Sequence, residues 1–451
     1  MQGCKQEKCV IFVEMYVFQR KMSYVQHQEY KAASGLDFNT IHFQVLPLTH
    51  GSTLEGKSLS LRFPLLITLG KDGGTNWTGT FGFIRSGLSQ FPIARVMESL
   101  RVLINGKTEL TLNPSLCYHA LKSYTKLDDP QVQQEYAMPD LFSRFAAYPT
   151  SGSYITNPLN SHGKVFNYTT RAITAGPPFF SDASGTPIQN NTPTPYMSCR
   201  YMVYMSLPFK IFEHDLHNIS SIDIICKMYS NELLPFTFNS EMAYSETLNM
   251  SCSVRFYNIP SCVARWSLPG TTAMVYKLMN KRYEVIQGPS IQASAITWSY
   301  YSLSSSLFTF GKARRMFIYV QPDITAYAPI NGATDSSRMI RIPATFGFIN
   351  SMTMMLNNQT YFSDWDEFRL WDMSARNGFF HRFTDSQGDL FGSSASTGVG
   401  SVICLDLKKD VPVDTSYNTA KIDVTFRYSP EWSMMVKLYA VIEYDEEIDM
   451  M

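Results

Sequence analysis

A repeated segment constrains this chain more than any other feature. Residues 97–108 read MESLRVLINGKT and residues 349–360 read INSMTMMLNNQT, and the two align without a gap. Ser99 meets Ser351, Val102 meets Met354, Ile104 meets Leu356, Asn105 meets Asn357, Gly106 meets Asn358 and Thr108 meets Thr360. Each copy runs an apolar strand into Asn-Gly or Asn-Asn, dipeptides that tolerate the positive φ of a tight hairpin. A proline precedes each copy at nearly the same distance, Pro92 or Pro343, and a short helical pattern follows each. Ser99 and Ser351 lie 252 positions apart in a chain of 451 residues. Solenoid repeats have periods of about 20 to 50 residues, so a period near half the chain means two tandem domains of one design. Ser99, Asn105, Gly106, Thr108, Ser351, Asn357, Asn358 and Thr360 are expected to shape the paired hairpins.

The repeated design is β-structure. Segments 58–69, 97–104, 201–207, 222–228, 250–256, 315–320, 401–407, 421–428 and 434–444 are short, rich in β-branched and aromatic residues, and bounded by turn formers. In one of them Lys421, Asp423, Thr425 and Arg427 interleave with Ile422, Val424, Phe426 and Tyr428, the pattern of a strand with one wet face. Helical patterns are few, chiefly 114–125 and 364–374. Many short strands with little helix give an all-β chain of sandwiches or barrels. Hydrophobic residues make up 45% and charged residues 17%, against a usual charged share of about 25%. With 14% aromatic residues, such a surface favours contacts between chains.

The same composition excludes several functions. Lys and Arg number 38 and so do Asp and Glu, which leaves no excess cation to drive binding to bare phosphate backbone. The eight cysteines, at 4, 9, 117, 199, 226, 252, 262 and 404, form no C-x-x-C pair. They read as free thiols of a reducing compartment, with no metal site. The apolar run 10–18 is interrupted by Glu14 and is far shorter than the roughly 20 residues a membrane helix needs. Lys5 and Lys8 before it fit a signal peptide, while Gln19, Arg20 and Lys21 after it do not; Met22 is an alternative start. Six N-x-[ST] triplets, at Asn76, Asn167, Asn190, Asn218, Asn249 and Asn358, carry little weight without a clear secretory signal.

Each chemically suggestive group has a plainer reading. Residues 70–74 (GKDGG) lack the spacing of a phosphate loop and fit a β-turn. His214 and His217 fit a solvated turn better than a metal site. Asp364, Asp366, Glu367 and Asp372 fit a short helix with acids in its first turn better than paired catalytic carboxylates. Lys312, Arg314 and Arg315 fit a solvated edge or an ion pair. The acids in 445–449 fit an exposed tail. No residue is expected to be catalytic, no cofactor or metal is expected, and the chain is not expected to be an enzyme.

Segment 126–196 is rich in Pro, Gly, Ser, Thr and Asn and reads as a long insertion within the first copy. Outside it, five stretches carry a resemblance: 97–108, 205–210 (MSLPFK), 308–320 (FTFGKARRMFIYV), 369–378 (RLWDMSARNG) and 400–410 (GSVICLDLKKD). Together they resemble the double-jelly-roll major capsid proteins of double-stranded DNA viruses, in particular the adintovirus, polinton and virophage branch. Leu207, Gly311, Arg315, Asn377, Gly378, Gly400 and Asp406 are the other positions that fit the family pattern. The chain departs from that pattern after Gly311, where a proline is expected before the basic pair.

The resemblance implies two tandem eight-stranded jelly rolls with short helices and the long insertion in the first. Segment 1–39 would be an arm or leader, 40–263 the first roll, 264–281 a connector, 282–446 the second roll and 447–451 an acidic tail. It further implies a homotrimer of pseudo-hexagonal outline that tiles an icosahedral capsid around DNA, assembled inside the host cell. Partners would be neighbouring trimers, a penton protein and minor capsid proteins, without specific nucleic-acid binding or a membrane span. The alternative is a β-sandwich glycan-binding or attachment protein, with a carbohydrate-active enzyme behind it. Shells or hexagonal sheets under the microscope would separate the first reading from the other two.

Overall fold

The computed structural model describes residues 24–49, 51–71, 86–88, 92–122, 154–156, 165–167, 196–229, 236–238, 250–268, 276–293, 298–305, 313–323, 346–379, 383, 400–411, 419–427 and 434–450. The first half contains β1 (Tyr24–Lys31), β2 (Thr40–Val45), β3 (Thr53–Leu54), β4 (Ser60–Lys71), β5 (Ser86–Leu88), α1 (Pro92–Val96), β6 (Met97–Ile104), β7 (Thr108–Leu112) and α2 (Pro114–Lys122). It continues through β8 (Tyr154–Thr156), β9 (Val165–Asn167), β10 (Tyr196–Ser206), a 3-10 turn at Lys210–Glu213, β11 (Ile222–Met228), β12 (Phe236–Phe238), β13 (Met250–Phe256) and β14 (Ser261–Leu268). The second half holds β15 (Tyr276–Gln287), β16 (Ile291–Ala293), β17 (Ser299–Ser305), β18 (Ala313–Pro322), β19 (Phe348–Leu356) and β20 (Gln359–Asp366). It ends with α3 (Glu367–Arg376), β21 (Ile403–Asp406), β22 (Ala420–Arg427) and β23 (Met434–Met450).

The two halves share one topology. In the first, the main sheets run β1-β14-β4-β10 and β2-β11-β6-β7; in the second, β15-β23-β18-β21 and β17-β22-β19-β20. Numbering the principal strands of each half one to eight, both halves read 1-8-3-6 facing 2-7-4-5. That order, antiparallel throughout, is the connectivity of a jelly roll.

Period-2 burial fills each sandwich. On β11, Ile222, Ile224, Cys226 and Met228 point inward, and on β22, Ile422, Val424 and Phe426 do so while Lys421 stays exposed. The second roll's core is a cluster of its own, built from such residues as Met316, Ile318, Val320, Met352, Leu438 and Ala440. The first roll's core, around Phe43, Phe63, Ile224 and Trp266, continues without a break into Phe317, Tyr319, Tyr439 and Val441 of the second roll.

The strands run past the expected domain limits. Tyr24–Lys31 is strand β1, paired along its length with β14, so the segment before residue 40 is partly body and not wholly an arm. Strands β14 and β15 extend into the expected connector. The acidic end is strand and not tail through Met450, since Tyr276–Arg282 of β15 pairs with Tyr444–Met450 of β23. Ile448 and Met450 are buried there, while Glu447 and Asp449 face Lys277 at 3.3 and 3.9 Å. The insertion 126–196 lies outside the described residues except for the short antiparallel pair β8–β9 and Tyr196 at the start of β10.

Candidate assembly interface

The paired hairpins occupy the same place in each roll. Asn105 (φ 54°) and Gly106 (φ 66°) turn β6 into β7, and Asn357 (φ 46°) and Asn358 (φ 64°) turn β19 into β20. Both asparagines also tether the start of the neighbouring strand. Asn105 Oδ1 accepts from the Ser220 amide at 2.7 Å and the Ser220 hydroxyl at 3.0 Å, just before β11. Asn357 Oδ1 accepts from the Thr419 amide and hydroxyl, both at 3.1 Å, just before β22. The backbone amides repeat the tie, to Ser221 O at 2.9 Å and to Thr419 O at 3.0 Å.

Register carries the equivalence along the strand. Ile104 pairs with Ile222 and Ser99 with Lys227; Leu356 pairs with Ala420 and Ser351 with Thr425, the same five-residue step in both rolls. Ser99 and Ser351 therefore correspond, but they sit mid-strand and do not shape the turns. Past the turn the ungapped alignment slips. Thr108 pairs with Ile104, whereas Gln359 pairs with Leu356 and Thr360 with Met355, because the first loop has one residue more. Irregular pairing in β20 then shifts the frame the other way by two residues, so that Leu100 opposite Leu112 matches Met352 opposite Trp365, one position beyond the ungapped alignment.

The other family-like positions gather largely at one end of the second roll. Gly378 (φ 100°) closes α3, while Asn377 Nδ2 donates to Cys404 O at 2.9 Å and to Asp410 Oδ2 at 2.5 Å. Asp406 is 4% exposed, and its Oδ1 accepts from the Lys408 amide at 3.0 Å. Arg315 pairs in register with Asp406. Gly400 (φ 92°) lies where an added Cβ would stand 2.0 Å from the Phe346 carbonyl oxygen, so only glycine fits. Leu207 is buried behind β10, and Gly311 lies outside the described residues.

Several of the suggestive polar groups of the sequence are held by structural partners, while Lys312 and residues 72–74 lie outside the described residues. Asp215 Oδ1 accepts from the Gly56 amide at 2.7 Å, and His217 Nδ1 lies 2.9 Å from the Thr53 hydroxyl. Asp366 caps α3 by accepting from the Arg369 amide at 2.9 Å, and Asp372 pairs with Arg376 at 3.1 Å. Arg314 pairs with Asp445 at 3.6 Å. Among the described residues no three His, Cys, Asp or Glu side chains converge as metal ligands, and no helix is long and apolar enough to cross a membrane.

One surface the residue patterns did not single out is the junction between the rolls. From Met316 onward, strand β18 is buried on both faces. Met316, Ile318 and Val320 enter the second roll's core, while Phe317 and Tyr319 enter the cluster of the first. On β23, Leu438, Ala440 and Ile442 point one way and Tyr439 and Val441 the other. The Tyr319 hydroxyl donates to Leu116 O and Gln321 Nε2 donates to Ser115 O at 2.8 Å, both in the first turn of α2. At another point of the seam, Tyr276 accepts from the His217 amide at 2.8 Å and donates to its carbonyl at 3.1 Å. Burial pushes the hydroxyl pKa of Tyr283, Tyr319 and Tyr439 upward, and that of the Cys117 thiol with them. A polar cleft of about 250 Å³ opens at the seam, where Glu98 and Ser115 of the first roll face Asp323 and Lys437 of the second. Lys437 and Asp323 pair there at 3.2 Å with both side chains largely buried. The signal for this junction was present in β18, whose run Met316–Val320 has no polar alternation, the mark of a strand covered on both faces.

Two solved structures show what this arrangement is similar to. A chain in the cryo-EM structure of the Sputnik virophage superimposes with a TM-score of 0.68 at 15% identity, covering 99% of this chain and 88% of its own. The described strands form a double jelly roll. The mavirus major capsid protein superimposes with a TM-score of 0.64 at 12% identity, covering 100% of this chain and 96% of its own. No protein-family model matches the sequence, and no curated protein does. At such identity the double jelly roll is common to these chains through topology, not through shared side chains.

Proposed function

We propose that this chain is the major capsid protein of a double-stranded DNA virus. Three copies would place six rolls in a pseudo-hexagonal capsomer, and capsomers would tile an icosahedral shell around the genome inside the host cell. One observation carries the reading: two rolls of identical strand order stand side by side, joined through the outer face of one sheet. Likeness along nearly the full length to the mavirus major capsid protein supports it. Two rolls per subunit under threefold symmetry approximate sixfold packing, and closed contacts between rolls cover sheet faces and edges that would otherwise pair without control.

The mechanism is assembly, not chemistry. Burial of apolar and aromatic surface supplies the drive, as it does between the rolls of one chain. An obligate trimer of this kind would bury above roughly 2,000 Å² per interface. The balance of 38 basic and 38 acidic residues fits a shell that encloses DNA without reading it. Penton and minor capsid proteins would occupy the vertices and seams, and segment 126–196 would cap the capsomer or clasp a neighbour. Limited proteolysis of assembled trimers tests that last role: rapid cutting within the segment would contradict it. Negative-stain microscopy of the purified protein tests the whole reading, with hexagonal particles, sheets or shells expected and small featureless oligomers contradicting it.

A further inference from the structure

We infer that the aromatic face of α3 docks on the outward face of the first roll's β1–β14–β4 sheet in a second copy of this chain. This rests on the trimer reading and adds which surfaces meet. The argument starts from the duplication. Strand register sets Leu112 against Trp365, which makes Asn113 before α2 the counterpart of Asp366, the residue that caps α3. In that frame Cys117 corresponds to Leu370, and both are core, at 1% and 0% exposure. Ser115 corresponds to Phe368, and here the rolls part: Ser115 is 2% exposed and Phe368 is 61% exposed.

The cause is the junction. The second roll's sheet sits over the first turn of α2, with Tyr319 and Gln321 bonded to the carbonyls of Leu116 and Ser115. On α3 the corresponding position is open. What stands there is a cluster of three rings, Phe368 against Trp371 at 6.0 Å and against Phe383 at 5.7 Å, with Trp371 and Phe383 at 5.8 Å. A ring cluster of this kind, with Phe368 exposed and Trp371 and Phe383 half-buried beside it, is the chemistry of an interface anchor.

The same duplication names the surface that receives it. The sheet that covers α2 is β15-β23-β18-β21, whose counterpart in the first roll is β1-β14-β4-β10. Its outward positions include Val25, 39% exposed, and Arg265, whose side chain is 43% exposed and pairs with Glu55 at 3.3 Å. Arg62 lies on that sheet with its guanidinium 5.6 Å from the Tyr204 ring centre, and its buried Nε has no hydrogen-bond partner among the described residues. Arginines on one surface and exposed rings on the other are complementary, because guanidinium groups stack on aromatic faces. The two surfaces differ, so the contact is head-to-tail, and a head-to-tail contact closes into a ring when the rotation allows.

Sedimentation velocity of the full chain tests this. Wild type is expected as a trimer. Phe368→Lys and Phe368→Ala, both at a position 61% exposed, are each expected to raise the dissociation constant by roughly 100-fold or more while melting stays unchanged. Val263→Arg, an outward position on β14 with Glu29 across the strand to pair with, is expected to do the same from the other side. Mixing the α3 variant with the Val263→Arg variant should give a one-to-one dimer and no larger ring, since each copy keeps one intact face. Trimers in the α3 variants, or no pairing in the mixture, would overturn the inference and leave the trimer reading standing. A monomeric wild type would instead overturn the trimer reading itself.

Discussion

Asn105 and Asn357 meet the same demand at equivalent turns, a left-handed backbone and a tether to the next strand, with one side chain. Replacing either by Ala removes both, at an expected cost of about 2 to 3 kcal/mol in urea unfolding, whereas Gly retains the φ and loses only the tether, about 1 kcal/mol. The duplication makes a sharper prediction at Gly106. Asn358 holds the matching φ, and a Cβ added at Gly106 meets nothing within 4 Å, so Gly106→Asn should cost less than about 1 kcal/mol. Gly400→Ala should instead prevent soluble expression, because the methyl group would strike the Phe346 backbone. These cases mark what is legible at this scale. The Asn-Gly and Asn-Asn turns are local chemistry, written in adjacent residues. The need for glycine at Gly400 comes from a carbonyl more than fifty positions away, and the slip between Thr108 and Thr360 comes from a loop longer by one residue.

At the scale of elements, strands with one wet face were legible and strands with distant partners were not. Strand β22 alternates as its sequence does, because its outer face meets water. Strands β1, β15 and the end of β23 draw their stability from partners more than 150 positions away, and so fell into an expected arm, connector and tail. Removing residues 446–451 should strip β15 of its partners from Tyr276 to Asn280 and lower stability measurably in urea. The junction makes a pH prediction. Burial raises the hydroxyl pKa values of Tyr283, Tyr319 and Tyr439, so in the folded chain they stay protonated above pH 10, where unfolded tyrosines ionise. Unfolding then releases protons, so this part of the stability is complete below about pH 10 and falls as the pH rises further. Urea titrations at pH 8 and pH 11 should show the loss, and Tyr319→Phe should flatten it. Phe317→Ala, which empties a site shared by the junction, should cost about 3 to 5 kcal/mol.

For the whole molecule, the repeat at 97–108 and 349–360 was enough to foresee two similar bodies, because a hairpin with a demanding turn keeps its residues when the surrounding strands drift. It was not enough to foresee how the bodies join. That depends on the outer faces of β18 and β23, where a junction residue and a core residue alternate and both are apolar. The join matters most for function, since a chain whose two rolls already meet through one sheet and one helix carries the unmatched sheet and the unmatched helix on its surface. The central claim is that these rolls build a shell subunit in threes. Sedimentation equilibrium on the purified full chain tests it most directly: a mass three times the 51.3 kDa of one chain is the result expected, and a mass of one or two chains at micromolar concentration would contradict it.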